Sequence, residues 1–191
     1  MRLLTQKDFT KQAWANGRGS TLELYREPAQ AARFALRLSV AEVYENSRFS
    51  DFPGYQRALG VLSGAGLSLQ FDGAKVLTIK RSETQQFPGA PGPWCELIGG
   101  PVQDFNAIYD ASRWRVELAI VRLGTDTLLD VFAEHSAVYL LEGTLSAPMP
   151  ISVGELVLFD GAQQLGGVGR MVLVQWSSSI VKIATSAKEN P

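Results

Sequence analysis

The sequence predicts an all-β protein of two fused antiparallel β-barrels or jelly rolls, with few short helices. Three observations carry that reading. Segments of period-two alternation recur. In Phe34–Val43, Phe34, Leu36, Leu38 and Val40 face one way and Arg37 and Ser39 the other. Clusters of Gly, Pro, Asp and Ser punctuate these segments at short intervals, the rhythm of a sandwich or barrel. An apolar strand ending in glycine also occurs twice, as Leu59-Gly-Val-Leu-Ser-Gly64 and Val138-Tyr-Leu-Leu-Glu-Gly143.

Taken in order, Thr5–Gln12 is a candidate short helix, and Leu22–Tyr25 is short, apolar and strand-like. Phe34–Val43 is the clearest amphipathic strand. Leu59–Phe71 and Val76–Ile79 follow as strands, and Pro88–Pro93 is a rigid, turn-rich loop. Asp104–Ser112 is ambiguous, because Phe105, Ile108 and Tyr109 also fit helical spacing. Val116–Leu123, Ala137–Leu145, Glu155–Phe159 and Met171–Trp176 complete the strands, and the polar tail 186–191 is expected to fray. In the repeat, the first glycines, Gly64 and Gly143, lie 79 residues apart, and the second, Gly73 and Gly154, lie 81 apart. Strand, Gly turn, strand, Gly, strand resembles the second half of a cupin module, where glycine permits sharp turns between barrel strands. Two copies imply a bicupin, with barrels at 1–105 and 106–185. The alternative is that any antiparallel protein yields such pairs.

Composition narrows the function classes. A chain of 191 residues, 46% hydrophobic, suffices for a core that buries roughly 70% of the unfolded surface. Its 18 Lys and Arg balance 19 Asp and Glu without a charge block, so nucleic acid and anionic membranes are poor partners. Cys95 is alone, no 18-residue apolar run exists, and Lys7 and Asp8 interrupt the start where a signal peptide needs apolar residues; a soluble cytoplasmic protein is expected. The single histidine, His135, excludes multi-histidine metal sites, HExxH helices and two-histidine cupin centres, so neither metal nor cofactor is expected. No G-x-S-x-G elbow, Walker lysine or dinucleotide fingerprint is present. His135 reads as an ordinary strand histidine and Cys95 as a buried thiol.

The residues that carry chemistry concentrate in the first half. Arg37 and Ser39 share one strand face; they line a barrel lumen if the opposite, apolar face packs against a second sheet. A lumenal guanidinium needs a carboxylate, from Asp104 or from a ligand. The alternative is a solvated Arg37 on an ordinary amphipathic strand. Arg57 follows the rigid turn Pro53-Gly54 and suits bidentate carboxylate recognition; its alternative is a surface pair with Asp51 or Glu45. Asp104 and Asn106 fall on one face if extended, and together suit an amide, amidine or amino group. Their alternative is turn chemistry, which is also the favoured reading of Asn16 in Asn-Gly. Thr21 is expected to hydrogen-bond nearby, and Trp14, Phe49 and Phe52 to form core or pocket wall.

The combination Trp14-x-Asn16-Gly17-x-Gly19-x-Thr21, Arg37-x-Ser39-x-Ala41, Phe49-Ser50-x-Phe52-Pro53-Gly54-x-x-Arg57, Gly64-x-Gly66-Leu67 and Gly100-Pro101-x-x-Asp104-Phe105-Asn106 resembles the HutD/Ves family. These motifs span just over half the chain. Ile108 stands where that family has Met, and Asp110-Ala111 where basic residues are common. The resemblance implies a bicupin linked to histidine utilisation, with a regulatory role through an intermediate such as formiminoglutamate. The resulting expectation is a metal-free protein that binds a small anionic metabolite through Asn16, Arg37, Ser39, Phe49, Phe52, Arg57, Asp104 and Asn106. The competing expectation is a cofactor-free acid–base enzyme, an isomerase or C–N hydrolase acting on a small carboxylate, with Asp104 as base and an arginine as oxyanion partner. A homodimer through paired sheet edges is open to such a fold.

Overall fold

A computed structural model of the protein describes residues 1–73 and 75–179, and these form sixteen strands and no helix. The tail expected to fray lies outside the described residues. Among the described residues no helix is long and apolar enough to cross a membrane. The short helix expected at Thr5–Gln12 is absent. Strand β1 (Arg2–Leu4) ends there, Asp8 Oδ2 accepts from Thr5 N at 2.9 Å, and β2 (Thr10–Ala13) begins. One or two isolated helical turns are marginal, whereas both flanking segments gain full ladders on other strands.

Three open sheets form the molecule. The central sheet runs β2, β3 (Gly19–Glu27), β4 (Leu36–Val43), β11 (Val102–Tyr109), β6 (Gln56–Ser63), β9 (Thr84–Pro88). A small sheet runs β5 (Ser47–Arg48), β10 (Trp94–Leu97), β7 (Gly66–Gln70), β8 (Val76–Lys80). The third runs β1, β15 (Leu156–Asp160), β14 (His135–Ala147), β16 (Gln163–Ser178), β12 (Trp114–Leu123), with β13 (Leu128–Val131) also on β16. The expected closed barrels are therefore corrected to open sheets, because β2 and β9 end the central sheet without meeting. The boundary expected at 105/106 falls inside β11, whose pairing with β4 and β6 continues to Tyr109. A break there would leave ladder groups unpaired.

The central sheet is buried on both faces. Leu36, Leu38, Val40, Phe105, Ala107 and Tyr109 pack on Val116, Leu118, Val172, Val174 and Trp176 of the third sheet. Leu59 and Val61, on the opposite face, pack with Leu67, Leu69, Ile79 and Cys95 of the small sheet. The expected single strand Leu59–Phe71 is two strands that belong to different sheets. Gly64 makes the corner at φ +86°, where a Cβ would stand 2.6 Å from Pro101 O. The ambiguous segment is strand as far as Tyr109, after which Asp110 Oδ1 accepts from Ser112 N and Oγ and turns the chain.

The two halves use the same ladder. In the central sheet Asn106 lies opposite Leu59 and Ser39, and Asp104 opposite Val61 and Ala41. In the third sheet Leu173 lies opposite Val138 and Ala119, and Met171 opposite Leu140 and Val121. Val138 follows Leu59 by 79 residues, the spacing of Gly64 and Gly143, and both glycines have φ +86°.

Candidate functional site

The face that Arg37 and Ser39 share does not reach bulk solvent directly. It turns toward the small sheet, and between the two lies a partly open cup of about 440 Å³. All eight residues expected at a site line it, along with Trp14, Thr21, Arg48 and Ile108. Three strands, β4, β11 and β6, supply its floor in rows fixed by register: Ile108 between Arg37 and Arg57, Asn106 beside Ser39, and Asp104 beside Ala41. Alternation on β11 puts Asp104 and Asn106 on one face, as an extended segment requires.

Arg57 is buried. Its guanidinium carbon lies 4.9 Å from the Phe49 ring centre, 5.2 Å from Phe87 and 5.9 Å from Phe52. These rings replace part of its hydration by cation–π attraction. Arg57 Nη2 donates to Asn106 Oδ1 at 2.6 Å, and Asn106 Nδ2 donates to Asp104 Oδ1. Two buried polar atoms of this trio have no hydrogen-bond partner among the described residues: Arg57 Nε and Asp104 Oδ2. Burial pushes the Asp104 carboxyl up to about 7, against the opposing pull of the Arg57 charge and the Asn106 hydrogen bond. Burial likewise lowers Arg57 to about 10, with Asp104 opposing. Cys95, fully buried in the small sheet, is raised to about 12 by desolvation and by Asp104.

Arg37 finds its carboxylate on Glu23, one strand away, with Nε 2.6 Å from Glu23 Oε2. The sequence reading had offered Asp104 or a ligand for that role. Asp104 lies two rows farther along the sheet, in the row of Ala41, whereas Glu23 lies opposite Ser39, one row from Arg37. The terminal nitrogens of Arg37 make no hydrogen bond among the described residues and remain available at the cup. The surface partners considered for Arg57 are engaged elsewhere: Asp51 Oδ1 accepts from Gly92 N at 2.6 Å, and Glu45 lies 3.6 Å from Arg18. Asn16 closes a turn by accepting from Arg18 N at 3.0 Å, and its residue also borders the cup. Thr21 Oγ1 accepts from Trp14 Nε1 at 2.8 Å and steadies that wall. Phe49 is buried, while Phe52 is half-exposed at the mouth.

Glu23, Arg48 and Phe87 escaped sequence reasoning. Glu23 could have been found as a cross-strand neighbour of Ser39 once β3 was registered on β4. Phe87, in the polar run Thr84–Pro88, carries no such signal. His135 stands apart on the third sheet, 2.7 Å from Asp160 Oδ1 and stacked 5.6 Å from Trp176. Among the described residues no three His, Cys, Asp or Glu side chains gather as a metal site would need.

Comparison with known proteins follows the same architecture. The HutD family model matches residues 6–171. An uncharacterised 21.2 kDa protein of the hutC 3′ region of Pseudomonas putida is 37% identical over 119 residues, 62% of this chain and 63% of that protein. The structure of HutD from Pseudomonas fluorescens SBW25 superposes with a TM-score of 0.79 at 28% identity, covering 93% of this chain and 98% of that one. A conserved protein of unknown function from Pseudomonas aeruginosa PAO1 superposes at 0.82 with 29% identity, over 93% and 98% of the two chains. The cupin-like fold extends to an oxalate decarboxylase of Lactobacillus farciminis, with a TM-score of 0.66 at 7% identity over 91% of this chain and 85% of that one, a likeness of fold alone.

Proposed function

The chain belongs to the HutD family, and from that premise we propose that it is a receptor for a small anionic metabolite, accessory to histidine degradation in the cytoplasm, with the cup as its binding site. The observation that carries this reading is the pair of buried, unpartnered polar atoms, Arg57 Nε and Asp104 Oδ2, beside an open cavity. Groups of this kind are destabilising unless something fills their hydrogen bonds, and about 1–3 kcal/mol rides on each. Arg37 offers its free fork to a carboxylate, a charge-assisted contact worth about 1.5–3 kcal/mol. Asp104 and Asn106 lie deeper and suit a nitrogen-bearing end. Formiminoglutamate, which carries carboxylates and an amidine, is the candidate ligand. Recognition of this kind requires no metal. In this reading the two halves are duplicated cupin units, a bicupin, of which the first keeps a polar cup.

A thermal-shift screen followed by calorimetry with formiminoglutamate, urocanate and N-formylglutamate tests the proposal. A ligand at a hundredfold excess over its Kd adds about 2.7 kcal/mol of stability. Failure of all three to bind the folded protein removes this ligand class.

One observation favours a second reading. A carboxyl held near neutrality beside a cavity is suited to proton transfer, as a cofactor-free isomerase or C–N hydrolase would need. That reading expects turnover that disappears in Asp104→Asn while affinity for the substrate survives.

A further inference from the structure

The floor of the cup is wired in one direction. Arg57 Nη2 donates to Asn106 Oδ1, so the Asn106 amide presents its NH2 to Asp104 Oδ1. That makes Oδ1 an acceptor and leaves Oδ2 as the atom that bears or lacks the proton. Oδ2 is buried and has no hydrogen-bond partner among the described residues. Around it, β6 contributes Arg57 and Val61, β4 contributes Ala41 with Arg37 farther along, and β10 contributes Cys95. Arg37 is already matched by Glu23, and Arg48, at the mouth, bonds Gly92 O at 2.8 Å.

We infer that Asp104 is the group by which the cup recognises an N–H-donating cation, an amidinium or ammonium, on a ligand whose carboxylate lies on Arg37, and that the Oδ2 proton leaves to solvent as this head docks. The inference rests on the reading of the cup as a metabolite site and specifies its ligand class. In the empty cup burial raises the Asp104 carboxyl to about 7, so it holds its proton increasingly as pH falls below neutrality. An incoming cationic head replaces the departing proton, so the exchange leaves the charge of the cup unchanged, and Oδ2 gains the donor it lacks. A ligand that ends in an acceptor retains the proton on Oδ2 instead. The two kinds of head therefore differ in proton traffic as well as in affinity.

Formiminoglutamate and N-formylglutamate are a matched pair of probes, an amidinium against an amide on one skeleton. The experiment is calorimetric titration of both into the full chain between about pH 6 and about pH 8, in buffers of different ionisation enthalpy. The formimino ligand is expected to release a proton on binding, with affinity that rises about tenfold per pH unit up to about 7 and then levels off. The formyl ligand is expected to show neither. In Asp104→Asn, which keeps the shape of the side chain, release and pH slope vanish for the formimino ligand. Binding of both probes by the wild type without proton release overturns the inference and leaves the metabolite site standing. Binding of neither by the folded protein removes the metabolite site, and the inference with it.

Discussion

The two halves of the molecule present the same ladder positions with opposite contents. Around the cup these positions hold Asp104, Asn106, Arg57 and Ser39. The matching positions of the third sheet hold Met171, Leu173, Ser136 and Ala119. There Met171 and Leu173 pack with Val138, Leu140, Leu145, Val157 and Phe159 into a closed apolar cluster. The strand register and the positive-φ glycines Gly64 and Gly143 are shared, so at these ladder positions the cup arises from the side chains. A polar floor that cannot fill its own hydrogen bonds holds a cavity open, whereas branched and aromatic side chains close the same space.

The comparison breaks most sharply if an aspartate is moved. Met171→Asp places a carboxyl where no amide or guanidinium meets it, and destabilisation of about 3–5 kcal/mol or outright unfolding is expected in urea titrations. Asn106→Leu is next. It gives the first half the residue of the second and strands Arg57 without its acceptor, for about 3 kcal/mol or more by the same measurement. Stability equal to wild type in either variant would mean that the two faces are interchangeable.

The pH dependence of stability sharpens the contrast further. The folded Asp104 is raised above its ordinary value, so between about pH 4 and about 7 the native state holds a proton that the unfolded chain has lost. Its contribution to stability therefore falls as pH rises through that window. The difference in Tm between Asp104→Asn and wild type is expected to grow in favour of the variant from about pH 4 to about pH 7. A difference that stays flat contradicts a protonated carboxyl in the empty cup.

Glu23→Gln has the smallest expected effect. The Glu23–Arg37 pair is part-exposed, so loss of the charge changes stability by about 1 kcal/mol or less. Arg37 loses its tether, and affinity for a carboxylate ligand shifts by several-fold in calorimetry.

Much of this was legible in the sequence where the signal is local. Period two placed Arg37 with Ser39 and, for an extended segment, Asp104 with Asn106, and glycine marked the corner at Gly64. The strand class of 102–109 was hidden, because Phe105, Ile108 and Tyr109 satisfy helical spacing as well, and pairing on β4 and β6 decides it. Pairings across the chain were hidden for the same reason. Nothing near Arg37 in sequence announces Glu23, and nothing near Arg57 announces Phe87, since register alone brings them together. The short strands β5 and β10 have little pattern of their own; β10 is held by β7, and β5 by β10. The single histidine, expected as an ordinary strand residue, stacks on Trp176 beside Asp160 in the third sheet.

The central claim is that the first half binds a small carboxylate metabolite and the second half does not. The most direct measurement is a two-dimensional NMR titration of the full chain with formiminoglutamate, following backbone amides, the Asn106 side-chain amide and the Arg57 Nε–H, which has no hydrogen-bond partner among the described residues. The account predicts saturable shifts centred on Ser39, Arg57, Asp104 and Asn106, with the positions around Met171 and Leu173 unmoved. Shifts centred on the third sheet, or none at saturating ligand, would contradict it.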